Sequence, residues 1–122
     1  MDRTPARTFQ DLLVWQKGLD LAVRCYELVR RFPKPDQMVL GYQIRKSSLS
    51  IPSNIAEGKA TGGQRYRRHL KFALGSNAEL QTQLELAMRL GMLDKRVGEE
   101  LQVQASEIGR MLAGLFKALP KT

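Results

Sequence analysis

The chain has 122 residues, about the length of one domain, and its 43% of hydrophobic residues exclude a disordered polypeptide. A single cysteine excludes an intrachain disulfide, so a reducing cytoplasm is expected. No run of about 18 apolar residues occurs, which argues against a membrane span. The net charge of +8 points to a polyanion such as nucleic acid or to an acidic protein surface, with an inert basic surface as the alternative.

The first predicted helix covers residues 11–31 and follows a polar, flexible N-terminus at residues 1–8. Its apolar residues recur at spacings of three and four and form two adjacent stripes. The main stripe is Trp15, Leu19, Ala22, Val23, Tyr26 and Val29, and the second is Val14, Leu21, Cys25 and Leu28. We interpret Cys25 as a small buried hydrophobe. Pro33 and Pro35 end the helix because neither can continue it.

The second predicted helix covers residues 37–57, with Asp36 as its N-cap. Its apolar stripe consists of Leu40, Ile44, Ser47 with Ser48, Ile51 and Ile55. Pro52 falls inside this pattern, and the loss of one backbone donor there predicts a kink. Gly58 is expected to be the residue just after the helix, where glycine is favoured.

The third and fourth predicted helices cover residues 64–90 and 95–118, after a loop over residues 59–64. The third stripe is Tyr66, Leu70, Ala73 with Leu74, Asn77, Leu80, Leu84 and Ala87 with Met88. The fourth is Val97, Leu101, Ala105, Ile108, Leu112, Leu115 and Leu119. Gly91 ends the third helix and Asp94 caps the fourth.

Four helices with short connections predict an all-α fold, an antiparallel up-and-down four-helix bundle over residues 9–119. Several helices carry more apolar residues than one face requires. The surplus residues outside the first helix are Met38, Tyr42, Leu49, Phe72, Leu86 and Leu90. This surplus predicts buried contacts between copies of the chain. The alternative is a wide apolar arc that packs against two neighbouring helices of the same bundle.

Enzyme templates find no support in the sequence, so no catalytic residue, cofactor or metal ligand is predicted. His69 is the sole histidine, and Tyr66 occupies the position where a di-iron Glu-x-x-His motif would place its glutamate. No zinc-protease motif, P-loop or dinucleotide fingerprint occurs. We interpret His69 as a surface side chain.

A basic cluster occurs at the start of the third helix, in the segment RYRRHLK. Arg67, Arg68 and Lys71 share one side of this helix, and Arg65 lies next to them. Cations interleaved with aromatic rings can bind phosphates and stack on bases. If the second and third helices are antiparallel, three further cations are expected near this corner: Arg45, Lys46 and Lys59. The alternative is a solvated helix start, although helix starts favour acids.

Two amides lie on or beside apolar stripes, Asn54 in SSLSIPSNIAEG and Asn77 in GSNAEL. Buried amides must form hydrogen bonds. We expect structural roles, in which they bond the carbonyl groups freed by Pro52 or each other, rather than a ligand pocket. Small residues on the second helix and a matching patch, Ala73, Gly75, Ser76 and Ala78, predict a close approach of the second and third helices.

Three segments carry a family resemblance: FQDLLVWQKGLDLAVRCYEL, QIRKSSLSIPSNIAEG and LKFALGSNAELQTQLELAMRLGML. Together they resemble the intervening-sequence proteins, four-helix bundles named for members encoded in inserts within bacterial 23S ribosomal RNA genes. The resemblance covers residues 9–118. The chain is also similar to the accessory proteins of diversity-generating retroelements.

The resemblance implies a four-helix bundle that assembles as a ring-shaped homopentamer and has no known enzymatic activity. It also implies, from the retroelement relatives, a basic surface that binds nucleic acid and a reverse transcriptase partner. The chain departs from the family pattern at two places. Arg65 and Tyr66 stand where an acidic residue and a phenylalanine are usual, and Ser47 and Ser48 stand where two alanines are usual.

The resulting hypothesis is a non-catalytic, homo-oligomeric, pentameric basic scaffold of the bacterial cytoplasm that binds nucleic acid. RNA and DNA are both open as ligands. The alternative is an adaptor whose positive surface binds an acidic protein, such as a reverse transcriptase complex.

Overall fold

The computed structural model describes residues 7–121, so most of the predicted flexible N-terminus lies outside the described residues. These residues form four long helices: α1 (Leu13–Val29), α2 (Leu40–Thr61), α3 (Gly63–Arg89) and α4 (Lys95–Ala118). Two short turns precede α1 and α2, at Phe9–Asp11 and Lys34–Gln37. Within residues 7–121 no strand is present. The predicted all-α four-helix bundle is confirmed.

The four helices close into a bundle in which each helix contacts two neighbours: α2 packs on α1 and α3, and α4 packs on α3 and α1. Where two neighbouring helices touch, the residue numbers increase along one helix and decrease along the other. Examples are Ser50 with Ser76 and Asn54 with His69 between α2 and α3, and Arg67 with Phe116 and Asn77 with Ala105 between α3 and α4. The start of α3 therefore lies beside the end of α2 and the end of α4.

The core is built from the apolar stripes of all four helices. Its largest fully buried side chains are Leu21, Val29, Ile44, Ile51, Ile55, Leu70, Leu80, Leu84, Leu101, Ile108 and Leu112. For α1 the predicted main stripe is partly wrong, because Leu19 and Val23 are 38% and 51% exposed while Leu21 and Cys25 are buried. The two stripes of α1 have the same spacing, and only contact with α2 and α4 selects the buried face.

Cys25 is fully buried, as predicted. Burial raises the pKa of its thiol to about 12, although a hydrogen bond with Ser48 and the charge of Arg24 act in the opposite direction. Burial acts this way because a thiolate loses its hydration in an apolar interior. Cys25 is therefore a neutral thiol at neutral pH and a packing residue rather than a nucleophile.

The connection between α2 and α3 differs from the predicted loop over residues 59–64. The helix continues to Thr61, and Gly62, with φ of 70°, is the one residue between the two helices. The predicted role of Gly58 as the residue after the helix is wrong, since Gly58 is buried inside α2. Gly62 takes that role because its backbone conformation is one that side chains with a Cβ rarely adopt.

Gly58 instead permits a close approach of α2 and α3. A methyl group at position 58 would lie 2.8 Å from His69 Cβ and 3.3 Å from Tyr66 Cα. About two turns away along α2, the hydroxyl oxygens of Ser50 and Ser76 are 2.7 Å apart. Small residues at these positions thus bring the two backbones together. The small-residue pattern predicted this for Ser76 and the serines of α2, but Gly58 was not part of that prediction.

The start of α2 also differs from its prediction. Asp36 belongs to the four-residue helical turn Lys34–Gln37, and α2 begins at Leu40. Pro35 stands in the first turn of that short helix, where a missing N–H costs nothing. Pro52 lies inside α2 and is buried, with its ring facing Gly18 of α1. The kink at Pro52 remains a prediction.

The junction between α3 and α4 follows its prediction. Gly91 has φ of 73°, and Met92 N donates to Ala87 O at 2.9 Å, which closes the end of α3. Asp94 caps α4, because its Oδ1 accepts a hydrogen bond of 2.7 Å from Arg96 N.

Asn77 is buried at the contact between α3 and α4. Its Nδ2 donates to the carbonyl of Ala105 at 3.0 Å, and its Oδ1 accepts from Gln81 Nε2. Gln102 Nε2 donates in turn to Gln81 O at 2.8 Å. Asn77 therefore joins two helices through polar contacts, rather than bonding Asn54 or a carbonyl near Pro52.

Replacing Asn77 with Leu is expected to lower the free energy of unfolding by about 1 kcal/mol, because Gln81 loses its acceptor in a partly buried position. Urea denaturation followed by circular dichroism measures this change. Thr82→Val is a control, since Thr82 is exposed and its hydroxyl bonds only the carbonyl of Ala78 in its own helix. An Asn77→Leu variant that is as stable as the parent would contradict the assigned role.

Candidate nucleic-acid interface

Positive charge is concentrated at the end of the bundle where α2 ends, α3 begins and α4 ends. Residues 57–71 and 110–121 carry eight Lys and Arg residues and one carboxylate, that of Glu57. Gln64 Nε2 donates to Lys121 O at 3.1 Å, which places the two segments side by side. We define the basic end by its cations: Lys59, Arg65, Arg67, Arg68, Lys71, Lys117 and Lys121.

The start of α3 lies within the basic end and has no side-chain cap. Its N-cap is Gly62, and its first turn contains no acidic residue. The first backbone N–H groups of a helix have no partner within the helix, and they carry partial positive charge. An anion bound there would satisfy these donors. Among residues 7–121, therefore, no side chain caps this helix start.

Three of the predicted cations are brought together in one groove. Arg67, Arg68 and Lys71, with Gln64 and Phe116, line a shallow groove of about 250 Å³ between the start of α3 and the end of α4. These three cations share one side of α3, as their spacing predicts.

Arg67 is held firmly by the end of α4. Its Nη1 donates to the carbonyls of Phe116 and Leu119 at 3.3 and 3.2 Å, and its guanidinium carbon lies 4.1 Å from the centroid of the Phe116 ring. The last carbonyls of a helix lack partners within it, and Arg67 supplies one. Arg67 thus fastens α4 to α3 in addition to lining the groove.

Arg68, Lys71 and Arg65 are exposed. Within residues 7–121 no carboxylate lies within 4.0 Å of their charged groups. Lys71 Nζ lies 5.7 Å from the centroid of the Phe116 ring. Cations without a carboxylate partner repel one another, so this cluster favours the binding of anions.

The other predicted cations lie in different surroundings. Lys59 belongs to the basic end, and its Nζ lies 5.9 Å from the centroid of the Tyr66 ring. Arg45 and Lys46 are on the same helix as Lys59 but about 20 Å away along its axis, at the rise of a regular helix. Arg45 lies over the Tyr26 ring of α1 at 5.6 Å. The structure therefore does not bring Arg45 and Lys46 to the basic end, because α2 runs away from it.

His69 is not the surface side chain that the sequence indicated, since only 16% of it is exposed. Its Nδ1 lies 2.9 Å from Asn54 Oδ1 and 3.8 Å from Glu57 Oε2. Asn54 Nδ2 donates to Ser50 O at 2.9 Å, so Asn54 Oδ1 is an acceptor and His69 Nδ1 carries the proton. The close approach of α2 and α3 at Gly58 places His69 between the helices.

A comparison with protein families decides the assignment of the chain. The model of the 23S rRNA-intervening sequence proteins matches residues 10–114. The chain belongs to this family. A solved structure of the S23 ribosomal protein family, a protein with unknown function from Bacteroides thetaiotaomicron VPI-5482, is similar to it with a TM-score of 0.79 and 28% identity. The match covers 87% of this chain and 100% of that chain. No curated protein matches the chain.

Four residues of the groove or the basic end were not predicted from the sequence to belong to the site: Gln64, Phe116, Lys117 and Lys121. Antiparallel packing of the last two helices would place the final turn of α4 beside the start of α3. The sequence carried one signal for this contact, namely Phe116, an aromatic residue of α4 outside its predicted apolar stripe.

In the part of the chain that the structure describes, no helix is long and apolar enough to cross a membrane.

Proposed function

We propose that this family member is a non-catalytic, homo-oligomeric scaffold of the cytoplasm that binds nucleic acid through its basic end. The observation that supports this most is a group of cations with no carboxylate within 4.0 Å among the described residues, around a helix start that has no side-chain cap there. Both features are unfavourable in the free protein, and both become favourable when phosphate groups are bound.

A polyanion suits the basic end better than a small anion does. The cations extend over the end of α2, the start of α3 and the end of α4, and the groove among them is shallow. One phosphate could contact two or three of these side chains, whereas a nucleic-acid backbone could contact most of them. Binding of this kind derives its free energy mainly from counterion release and depends little on base sequence.

The test is fluorescence anisotropy with labelled RNA and DNA oligonucleotides at two salt concentrations. About four phosphate contacts per protomer give a slope of about −3 in log K against log salt for single strands, or about 50-fold weaker binding at 200 mM than at 50 mM salt. If no oligonucleotide binds at low salt, the proposal fails, and an adaptor for an acidic protein such as a reverse transcriptase complex takes its place.

Self-association is the second part of the proposal, and exposed apolar side chains support it. Among residues 7–121, these side chains concentrate on α1, α2, α3 and the segment before α2, whereas α4 contributes one. They are Leu13, Leu19, Val23, Met38, Val39, Tyr42, Leu49, Phe72, Leu86, Leu90 and, on α4, Val103. Large apolar side chains exposed in this number favour a surface that contacts another protein. We propose that further copies cover it in a homopentamer.

Light scattering is expected to give a mass about five times that of the 13.8 kDa chain, as the proposed homopentamer requires. Leu49→Glu places a charge among the exposed apolar residues of α2 and is expected to yield monomers with unchanged helix content. Val103→Glu is the matched control on α4 and is expected to leave the assembly intact. A monomeric parent protein at micromolar concentration would contradict this part of the proposal.

A further inference from the structure

We propose that the groove between the start of α3 and the end of α4 binds an unpaired base, which stacks on the Arg67–Phe116 pair, so that the protein prefers single strands to duplexes. This inference rests on the proposed nucleic-acid function and specifies its ligand. It assigns to Arg67 and Phe116 a role that differs from phosphate binding.

The guanidinium of Arg67 is a fixed planar group. Two carbonyls at the end of α4, those of Phe116 and the C-cap residue Leu119, accept hydrogen bonds from its Nη1, and the Phe116 ring lies 4.1 Å from its central carbon. Because its Nη1 is already bonded to two carbonyls, this guanidinium has fewer donors left for phosphate oxygens. Its planar surface, however, is the kind on which unpaired bases stack. Because the plane is held in advance, little side-chain entropy is lost when a base binds.

The groups around this platform suit the rest of a nucleotide. Arg68 and Lys71 line the same groove, and each is exposed with no carboxylate within 4.0 Å in the described part of the chain. They are positioned to contact the phosphates that flank a stacked base. Gln64 also lines the groove, and its side-chain amide is able to donate to or accept from a base edge.

A duplex cannot use this platform in the same way, because its bases are already stacked on one another and present only their edges. A duplex would contact the cations alone. Single strands are therefore expected to gain a contribution from stacking in addition to the charge contribution that both ligands share.

The experiment compares three ligands of equal length by fluorescence anisotropy at one low salt concentration. They are a single-stranded oligonucleotide, an abasic strand with the same phosphates, and a duplex. Stacking of one base predicts that the normal strand binds about 5- to 150-fold more tightly than the abasic strand. Equal binding of the normal and abasic strands would overturn this inference and leave the proposed function in place. Failure of all three ligands to bind would overturn the proposed function itself.

Two variants test the platform directly. Arg67→Lys keeps the charge and removes the planar group, and Phe116→Leu keeps an apolar side chain and removes the ring. Each is expected to reduce the affinity ratio of normal to abasic strand at least about 5-fold, toward one. The ratio also separates stacking from any loosening of α4, since a structural defect would weaken binding of both strands.

Arg68→Lys is the matched control for Arg67→Lys, because both substitutions replace a groove arginine and keep its charge. It is expected to preserve the ratio, since Lys also binds phosphate. If Arg67→Lys and Phe116→Leu both preserve the ratio, the stacking platform is not at this position and the inference is overturned.

Discussion

Reversing the charge of Arg68 and Lys71 together, to Glu, is expected to weaken nucleic-acid binding at least about 100-fold and to leave the helical bundle intact. Both side chains are exposed and line the groove. The substitutions remove two of the proposed phosphate contacts and place two negative charges where a nucleic-acid backbone would approach. Folding is expected to be preserved, because exposed positions without a specific partner contribute little to stability.

Arg67 is left unchanged in this variant for a structural reason. Its Nη1 donates to two carbonyls at the end of α4, and its guanidinium lies over the Phe116 ring. A Glu at position 67 would remove these contacts and place a carboxylate beside two carbonyl oxygens. Any loss of binding would then combine a charge effect with a displaced α4.

The matched control reverses Arg30 and Arg31, which are also exposed but lie at the opposite end of the bundle, after α1. The net charge of the two double variants is identical. Anisotropy titrations at low salt are expected to show nearly parental affinity for the control. Equal losses in both variants would mean that overall charge alone attracts nucleic acid and that the basic end is not the binding site.

The second large effect is expected at Gly58, where α2 and α3 approach closely. In a Gly58→Ala variant the new methyl group would lie 2.8 Å from His69 Cβ and 3.1 Å from Tyr66 Cδ1. Because His69 and Tyr66 are held between the helices, the two backbones must move apart. The free energy of unfolding is expected to fall by about 1–3 kcal/mol, the usual cost of overpacking.

Gly75→Ala is the matched control, since Gly75 also lies inside a helix but has open space where a Cβ would be. Alanine is expected to stabilise α3 by about 0.5–1 kcal/mol, because glycine loses more conformational freedom in a helix. Chemical denaturation of both variants measures the contrast. A Gly58→Ala variant as stable as Gly75→Ala would show that the close packing at Gly58 contributes nothing.

The residue pattern by itself determines the number of helices and most of their buried faces. The stripes of α2, α3 and α4 are long and regular, and Gly91 and Asp94 have local chemistry that ends one helix and begins the next. Arg67, Arg68 and Lys71 were also placed on one side of α3 correctly, because side chains three or four residues apart on one helix are neighbours whatever the helix packs against.

Other features depend on tertiary contacts that local pattern does not contain. The end of α2 was predicted too early because glycine favours a helix end, whereas at Gly58 it permits close contact with Tyr66 and His69. From its position beside Arg68, His69 was predicted to be a surface residue. The close approach of α2 and α3 at Gly58 instead places it against Asn54. The residues next to Gly58 and His69 in the sequence give no indication that another helix packs against them.

The composition of the basic end was likewise decided by the fold. Lys117 and Lys121 join the start of α3 only because α4 ends there, and Arg45 and Lys46 lie elsewhere because α2 leads away from this corner. In the sequence, Arg67 does not differ from the other three cations of the segment RYRRHLK. Its orientation is fixed only by the carbonyls at the end of α4. The sequence by itself determined how much positive charge the chain carries, and the tertiary structure decided which charges meet, because helix packing alone brings distant segments together.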